Sequence, residues 1–305
     1  MPRPRARMRP MKALWTAVFV CTLAAGPAAQ SKAPPKGRTR VAFVSVTDSS
    51  GPVLTLGPAD FDVTESGAKR QVVRASLATT PMRVALIVDT SDGLAAAALN
   101  HLRAGLLALV DELSPDDEVM LVSTGRQTRV RVQPTIDRKK IKDAAGGLFA
   151  DGGATVLTDT LLDVDDRFMR KADNRWPVFV VVTGDGTEGS AGANEKKFNE
   201  WIVALPTRPV EAHAIALKFR GGGMPEIVAS HVAQAGGGIY EFMNTSNALP
   251  DKMKAIGARL AADRRAMSTK YEIEYLTDSA DQKPIDVGVA KSGVTIQLSF
   301  RRPLR

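Results

Sequence analysis

Cysteine is almost absent from this sequence, with Cys21 the single instance in 305 residues. A disulfide framework and a cysteine-built zinc site are excluded by that count. Histidine is scarce as well: His101, His213 and His231 have no metal-ligand spacing. Neither a Gly-x-Ser-x-Gly elbow nor a His-Glu-x-x-His pair occurs, so hydrolase chemistry has no named nucleophile or zinc. Aromatic residues make up only 5% of the chain, so the core must be mainly aliphatic. No apolar run reaches the roughly 20 residues that span a bilayer as a helix.

The longest such run lies near the start. Arg3, Arg5, Arg7, Arg9 and Lys12 precede the short apolar stretch ALWTAVFVCTLAA (13–25), and GPAAQ follows. This order predicts an export signal over residues 1–29, cleaved after Ala28 or Ala29, and a linker over 30–40. A lipid anchor at Cys21 is disfavoured, because Val20 stands where a small residue belongs. Without that segment, 36 basic residues face 33 acidic ones and the net charge falls from +8 to +3. The apparent basicity therefore belongs to targeting, and no nucleic-acid partner is implied. RVR (129–131) and RKKIK (138–142) lack interleaved aromatics and read as solvated faces.

Composition is otherwise that of a folded chain, at 44% hydrophobic and 24% charged. Short alternating strands, VAFVSVT, VLTL, FDVTES and RQVVRASLA, define a β segment over 41–80, separated by turn chemistry. From Met82 the pattern becomes strand–helix alternation. VALIV precedes a helix with Leu99, Leu102, Leu106, Leu109 and Leu113 on one face. EVMLVST leads into a hairpin-like TRVRVQ, and helices are predicted over about 138–149 and 156–169. VFVVVT, PVEAHAIAL and GIYEFM continue the series. Repeated βα units predict an α/β fold over 82–266, with a doubly wound, mostly parallel sheet. The segment 269–305 returns to strands. Neither terminal β segment is large enough for a core of its own, so the two are expected to pack together as one antiparallel unit.

Three loops carry the chemistry. VALIVDTSDG (84–93) ends an apolar strand on Asp89 and Ser91; DGGATVLTDT (151–160) presents Thr155 after two glycines; VFVVVTGDGTEG (178–189) ends on Asp185. Ligands bind such sheets outside the carboxyl ends of the strands. Asp89, Ser91, Thr155 and Asp185 thus form a hard-oxygen set, which suits Mg²⁺, Ca²⁺ or Mn²⁺ and not zinc. Each has a plainer reading as a helix cap, and only the order and shared edge of all four favours the site.

The same three stretches resemble the von Willebrand factor type A domain and its metal-ion-dependent adhesion site, in the form found in exported bacterial proteins. That motif is an Asp-x-Ser-x-Ser loop, a threonine in a Gly-rich loop, and an aspartate ending a later strand. The resemblance covers most of the chain, including VTDSSGPVLTLGPADFDVTESG ahead of the α/β unit and AQAGGGIYEF within it. It implies that Asp89, Ser91, Thr155 and Asp185 hold the ion directly or through water. It further implies a non-catalytic domain that grips a partner protein, with the ion bridging to a partner carboxylate. One position departs: Gly93 stands where the second serine belongs, with Asp92 beside it as a substitute oxygen. On this reading Gly93→Ser should tighten metal binding. A metal-independent interaction scaffold is the neighbouring reading. A phosphatase of the haloacid-dehalogenase type is the reading from another class, prompted by Asp89 and by the GDG at 184–186. It needs an acid two residues after its nucleophile, and Ser91 occupies that place.

Overall fold

The computed structural model describes residues 37–299, apart from 95, 173, 220–222 and 282. The expected leader and most of the linker lie outside the described residues. In chain order the first part holds β1 (Arg38–Asp48), β2 (Gly51–Pro52), β3 (Phe61–Glu65), β4 (Ala68–Arg70) and β5 (Val72–Leu77). The middle part runs β6 (Met82–Asp89), α1 (Ala96–Glu112), β7 (Glu118–Thr124), β8 (Thr128–Thr135), α2 (Arg138–Gly146), α3 (Leu157–Val164) and β9 (Trp176–Thr183). It continues with α4 (Glu195–Ala204), β10 (Glu211–Leu217), α5 (Met224–Ala235), β11 (Gly237–Met243) and α6 (Leu249–Met267). The last part is β12 (Lys270–Thr277), β13 (Ile285–Val289) and β14 (Thr295–Ser299).

The middle part is a six-stranded sheet in the order β11-β10-β9-β6-β7-β8. All neighbours in it are parallel except β7 and β8, which form an antiparallel hairpin at the edge. Side chains alternate between the two faces of a strand, so an apolar strand needs cover on both. On β6, Val84, Leu86 and Val88 face the leucines of α1 and the apolar stripe of α6, while Ala85 and Ile87 join α3, α4 and α5. β9 divides the same way, with Val178, Val180 and Val182 against Phe179 and Val181. An α/β fold with a mostly parallel sheet, expected from the sequence, is the one observed.

The terminal parts meet across the chain. β1 pairs antiparallel with β12 on one side and β14 on the other, and β12 pairs with β5. A three-stranded sheet, β13-β3-β4, faces these strands. Tyr271, Ile273 and Tyr275 of β12 pack with Val44, Phe61 and Val63 into a core separate from the two flanking the large sheet. Phe43 reaches beyond it and meets Trp176 edge-on, ring centroids 5.9 Å apart, at the base of β9.

Several predicted elements end early or change character. VLTL is not a strand: β2 stops at Pro52, and the Leu56 N–H donates to the Tyr271 hydroxyl instead of a ladder. The helix expected to reach Phe149 stops at Gly146, where the Gly147 N–H turns back to the Asp143 and Ala145 carbonyls. The helix expected over 156–169 is α-helical only to Val164. A π-helical turn over Asp165–Met169 follows. Its cause is Asp165, buried and bonded to Arg170 Nε (2.7 Å), Trp201 Nε1 (2.8 Å) and both terminal nitrogens of Arg208 (2.9 and 2.7 Å). One extra residue in the turn lets that carboxylate face inward.

Candidate functional site

Strands β6, β7 and β9 are parallel neighbours, so the loops leaving their carboxyl ends emerge on one rim. Loops 89–94 and 184–189 leave β6 and β9 there. Loop 151–155, which leads into α3, is fastened beside them. Its Asp151 N–H donates to the Thr90 carbonyl at 2.7 Å, and the Asp92 N–H donates to the Gly153 carbonyl at 3.0 Å. Gly152 and Gly153 both adopt φ of +72°, a conformation that glycine takes without strain. The Thr155 N–H then donates to the Thr187 carbonyl at 2.9 Å, and the Gly189 N–H returns to Thr155 at 2.6 Å. Three segments far apart in sequence are thereby joined by main-chain bonds.

The structure brings the four expected donors to this rim, all buried. Asp89 accepts from the Ser91 N–H (2.8 Å), the Gly184 N–H (3.0 Å) and the Thr183 hydroxyl (3.2 Å). Burial pushes its carboxyl above the ordinary range against the pull of those bonds. Ser91 Oγ accepts the Gly93 N–H at 3.1 Å. Thr155 Oγ1 lies 3.0 Å from Thr124 Oγ1 and 3.3 Å from the Thr124 carbonyl. Asp185 is 8% exposed, beneath the backbone of Gly223. Asp92, read as a substitute oxygen, is exposed and accepts the Gly153 N–H at 2.8 Å, so it works as a tie between loops.

Gly93 corrects one expectation. A Cβ built there would sit 2.6 Å from both the nitrogen and the Cα of Gly186. A serine at position 93 therefore collides with main chain and cannot simply restore a ligand. The donor types suit a hard cation, but their arrangement does not supply the set an adhesion-type ion requires. Asp89 and both hydroxyls are engaged within the protein, and the fifth position is filled by backbone.

Sequence reading missed the residues that fasten the rim. Asp151 accepts from Thr90 Oγ1 (2.7 Å), Ser123 Oγ (3.3 Å) and Arg131 (2.6 Å), with Arg129 at 3.4 Å. Burial raises its carboxyl, but the Thr90 and Arg131 bonds outweigh that and hold it below the ordinary range. RVR is thus half structural, not simply a solvated face, with Arg131 bonded to both Asp151 and Ser123. Thr124 bonds Thr155 and also accepts the Val156 N–H at 3.1 Å. Glu188 lies beside Thr155 through an isolated parallel bridge, and burial pushes its carboxyl up. The histidines stay off the rim's chemistry. His213 Nε2 meets Glu211 at 2.8 Å within β10, and its Nδ1 accepts the Ile239 N–H at 3.0 Å.

Residues 84–188 match a family model described as the von Willebrand factor type A domain. That segment holds the first two loops and the third as far as Glu188, in their expected order. Over that stretch, about a third of its length, the chain is similar to this domain. The match includes Asp89 and the GDG turn on which the phosphatase alternative rested, and nothing supports that alternative. Comparison with solved structures agrees on the fold. A von Willebrand factor type A protein from Catenulispora acidiphila is 12% identical, covering 85% of this chain and 72% of its own, with a TM-score of 0.51. The conserved hypothetical protein BatB from Bacteroides thetaiotaomicron is 18% identical over 61% of this chain and 98% of its own, at 0.47. Manganese-loaded TRAP protein from Plasmodium vivax is 14% identical over 74% and 95%, at 0.48. The likeness at these identities is one of fold, and the first of the three carries it. No curated protein gives a significant match.

Proposed function

We propose that this is an exported, non-catalytic module that docks a partner protein on the rim formed by loops 89–94, 151–155 and 184–189. The observation that supports it most is the joining of three distant loops into one surface at the carboxyl edge of a parallel sheet. Sheets of this topology bind their ligands at that edge. The rim holds Asp89, Ser91, Thr155 and Asp185 below its surface and presents Asp92 and Thr187 to solvent. Catalysis finds little support there, because Asp89 is fully buried and Ser91 Oγ is occupied by Gly93. The basic and apolar opening of the sequence supports export. Among the described residues no helix is long and apolar enough to cross a membrane.

The test is site-directed photo-crosslinking in the cell envelope of the source organism. A photoreactive residue at exposed Thr187 should give a discrete adduct with one partner; one at exposed Pro115, on the opposite edge of the sheet, should not. Equal labelling from both positions would refute docking at the rim. A second reading has Mg²⁺, Ca²⁺ or Mn²⁺ bridging the four oxygen donors to a partner carboxylate; the donor types support it and the packing of Gly93 on Gly186 opposes it. Loss of the Thr187 adduct in chelator, restored by Mg²⁺, would favour it.

A further inference from the structure

We infer that a backbone contact between glycines takes the place of the cation, so that the rim is assembled and held without a divalent metal. The contact is specific. Gly93 faces Gly184 and Gly186 main chain to main chain. A Cβ on Gly184 would lie 2.4 Å from the Gly93 oxygen, and one on Gly186 would lie 2.7 Å from the Gly93 Cα. None of these three glycines has a positive φ, so what they supply is space. Gly223 closes the same stack from the next loop, its Cβ position 3.0 Å from the Gly186 oxygen.

Two features of the sequence that looked like separate oddities become one. The glycine that replaces the motif's second serine needs a partner loop without side chains, and the GDG turn supplies it. Interlocking of this kind leaves no room for the serine β-carbon, and the bonds that an ion would organise are already made. Asp89 bonds Gly184 of the third loop, Asp92 and Thr90 bond the second, and Thr155 bonds Thr187 and Gly189. Asp89 accepts from the Ser91 and Gly184 N–H groups and the Thr183 hydroxyl, so its contacts are made within the protein.

Thermal unfolding of the full chain gives the first measurement. A ligand that binds only the folded state raises the melting temperature increasingly as its concentration exceeds its Kd. Titration with Mg²⁺, Mn²⁺ or Ca²⁺ to millimolar levels should leave the melting temperature where chelator leaves it. A saturable rise with any of the three, lost in Asp89→Ala, overturns the inference. Amide exchange on the natural protein adds a second reading: Gly153 and Gly184 should be equally protected with metal and with chelator. Metal-dependent protection there also overturns it. Gly186→Ala, whose methyl meets immovable backbone, should lower the melting temperature and expose those amides. Gly192→Ala lies nearby with nothing within 4 Å of its Cβ position and serves as control. Equal melting of the two variants contradicts the interlock, and so does a Gly93→Ser protein that folds and gains a Mg²⁺-dependent rise. If Gly186→Ala does not fold while the control does, the contact is indispensable, and the metal titration of the natural chain still decides whether an ion shares its role.

Discussion

Thr90 and Asp151 hold each other twice. The threonine hydroxyl donates to the aspartate Oδ2 at 2.7 Å, and the aspartate N–H donates to the threonine carbonyl at the same distance. With Arg131 on the same oxygen, this pair seats the glycine loop that carries Thr155. Asp151→Ala removes a carboxylate whose side chain is 2% exposed and takes from Arg131 its ion-pair partner. The expected cost is about 2–3 kcal/mol, the usual penalty for breaking such a pair from one side. Urea unfolding measures it, and loss of protection at Gly153 should accompany it. A stable variant with an intact Gly153 amide would show that the main-chain bonds alone seat the loop.

Acid should act through Asp165. Burial raises its carboxyl, but the Arg208 and Arg170 bonds prevail and hold it below the ordinary carboxylate range in the folded state. A group depressed on folding contributes its full stabilisation above the unfolded value, about 3.9, and loses it as pH falls towards the folded one. Natural protein and Asp165→Asn should therefore differ by a constant amount from pH 7 down to about 4 and converge below that. Urea midpoints measured across this range check the sign. A gap that widens on acidification would mean that the neutral acid is the preferred native form.

The order of elements and the rim were legible because their signals are local. Val84 to Val88 is apolar throughout, as a strand covered on both faces must be, and Asp89 ends it one residue later. Asp89, Ser91 and Asp185 could be placed at one edge from strand ends, and Thr155 beside them through the glycines of its loop. The fasteners were less visible. Asp151 looked like the first residue of a turn, and its arginine partner sits 20 residues earlier on a hairpin whose inward side no periodicity marked. VLTL has the composition of a strand but meets the Tyr271 hydroxyl, 215 residues away, in place of a ladder. Gly93 could be seen as a missing ligand, but only coordinates reveal that Gly186 fills the space. Contacts made by absent side chains leave no mark on hydropathy.

The two ends of the chain are expected to stand or fall together. In the terminal sheet β12 lies between β1 and β5, and β14 covers the far edge of β1. Removing residues 270–305 unpairs β1 from both and leaves β5 without its neighbour. Amide exchange over 38–48 and 72–77 should then approach that of an unfolded segment, since isolated strands are marginal in water. Protection in those strands that survives the truncation would refute the shared terminal unit.

Helices α1 and α6 offer a contrast between two glycines on one contact. At Gly105 an added methyl meets the Met253 sulfur at 2.5 Å, the far part of a flexible side chain that can turn aside. At Gly257 it meets the Leu109 carbonyl oxygen at 2.7 Å and the Glu112 Cβ at 3.0 Å, and main chain does not yield. Alanine is favoured over glycine in a helix interior by about 1 kcal/mol. Gly105→Ala should gain most of that, less the cost of moving Met253, and come out within about 1 kcal/mol of the natural chain. Gly257→Ala should force the helices apart and lose about 1–3 kcal/mol, as overpacked cores do. Denaturant midpoints for the two variants test the difference, and equal stability would place the α1–α6 contact farther apart than the structure has it.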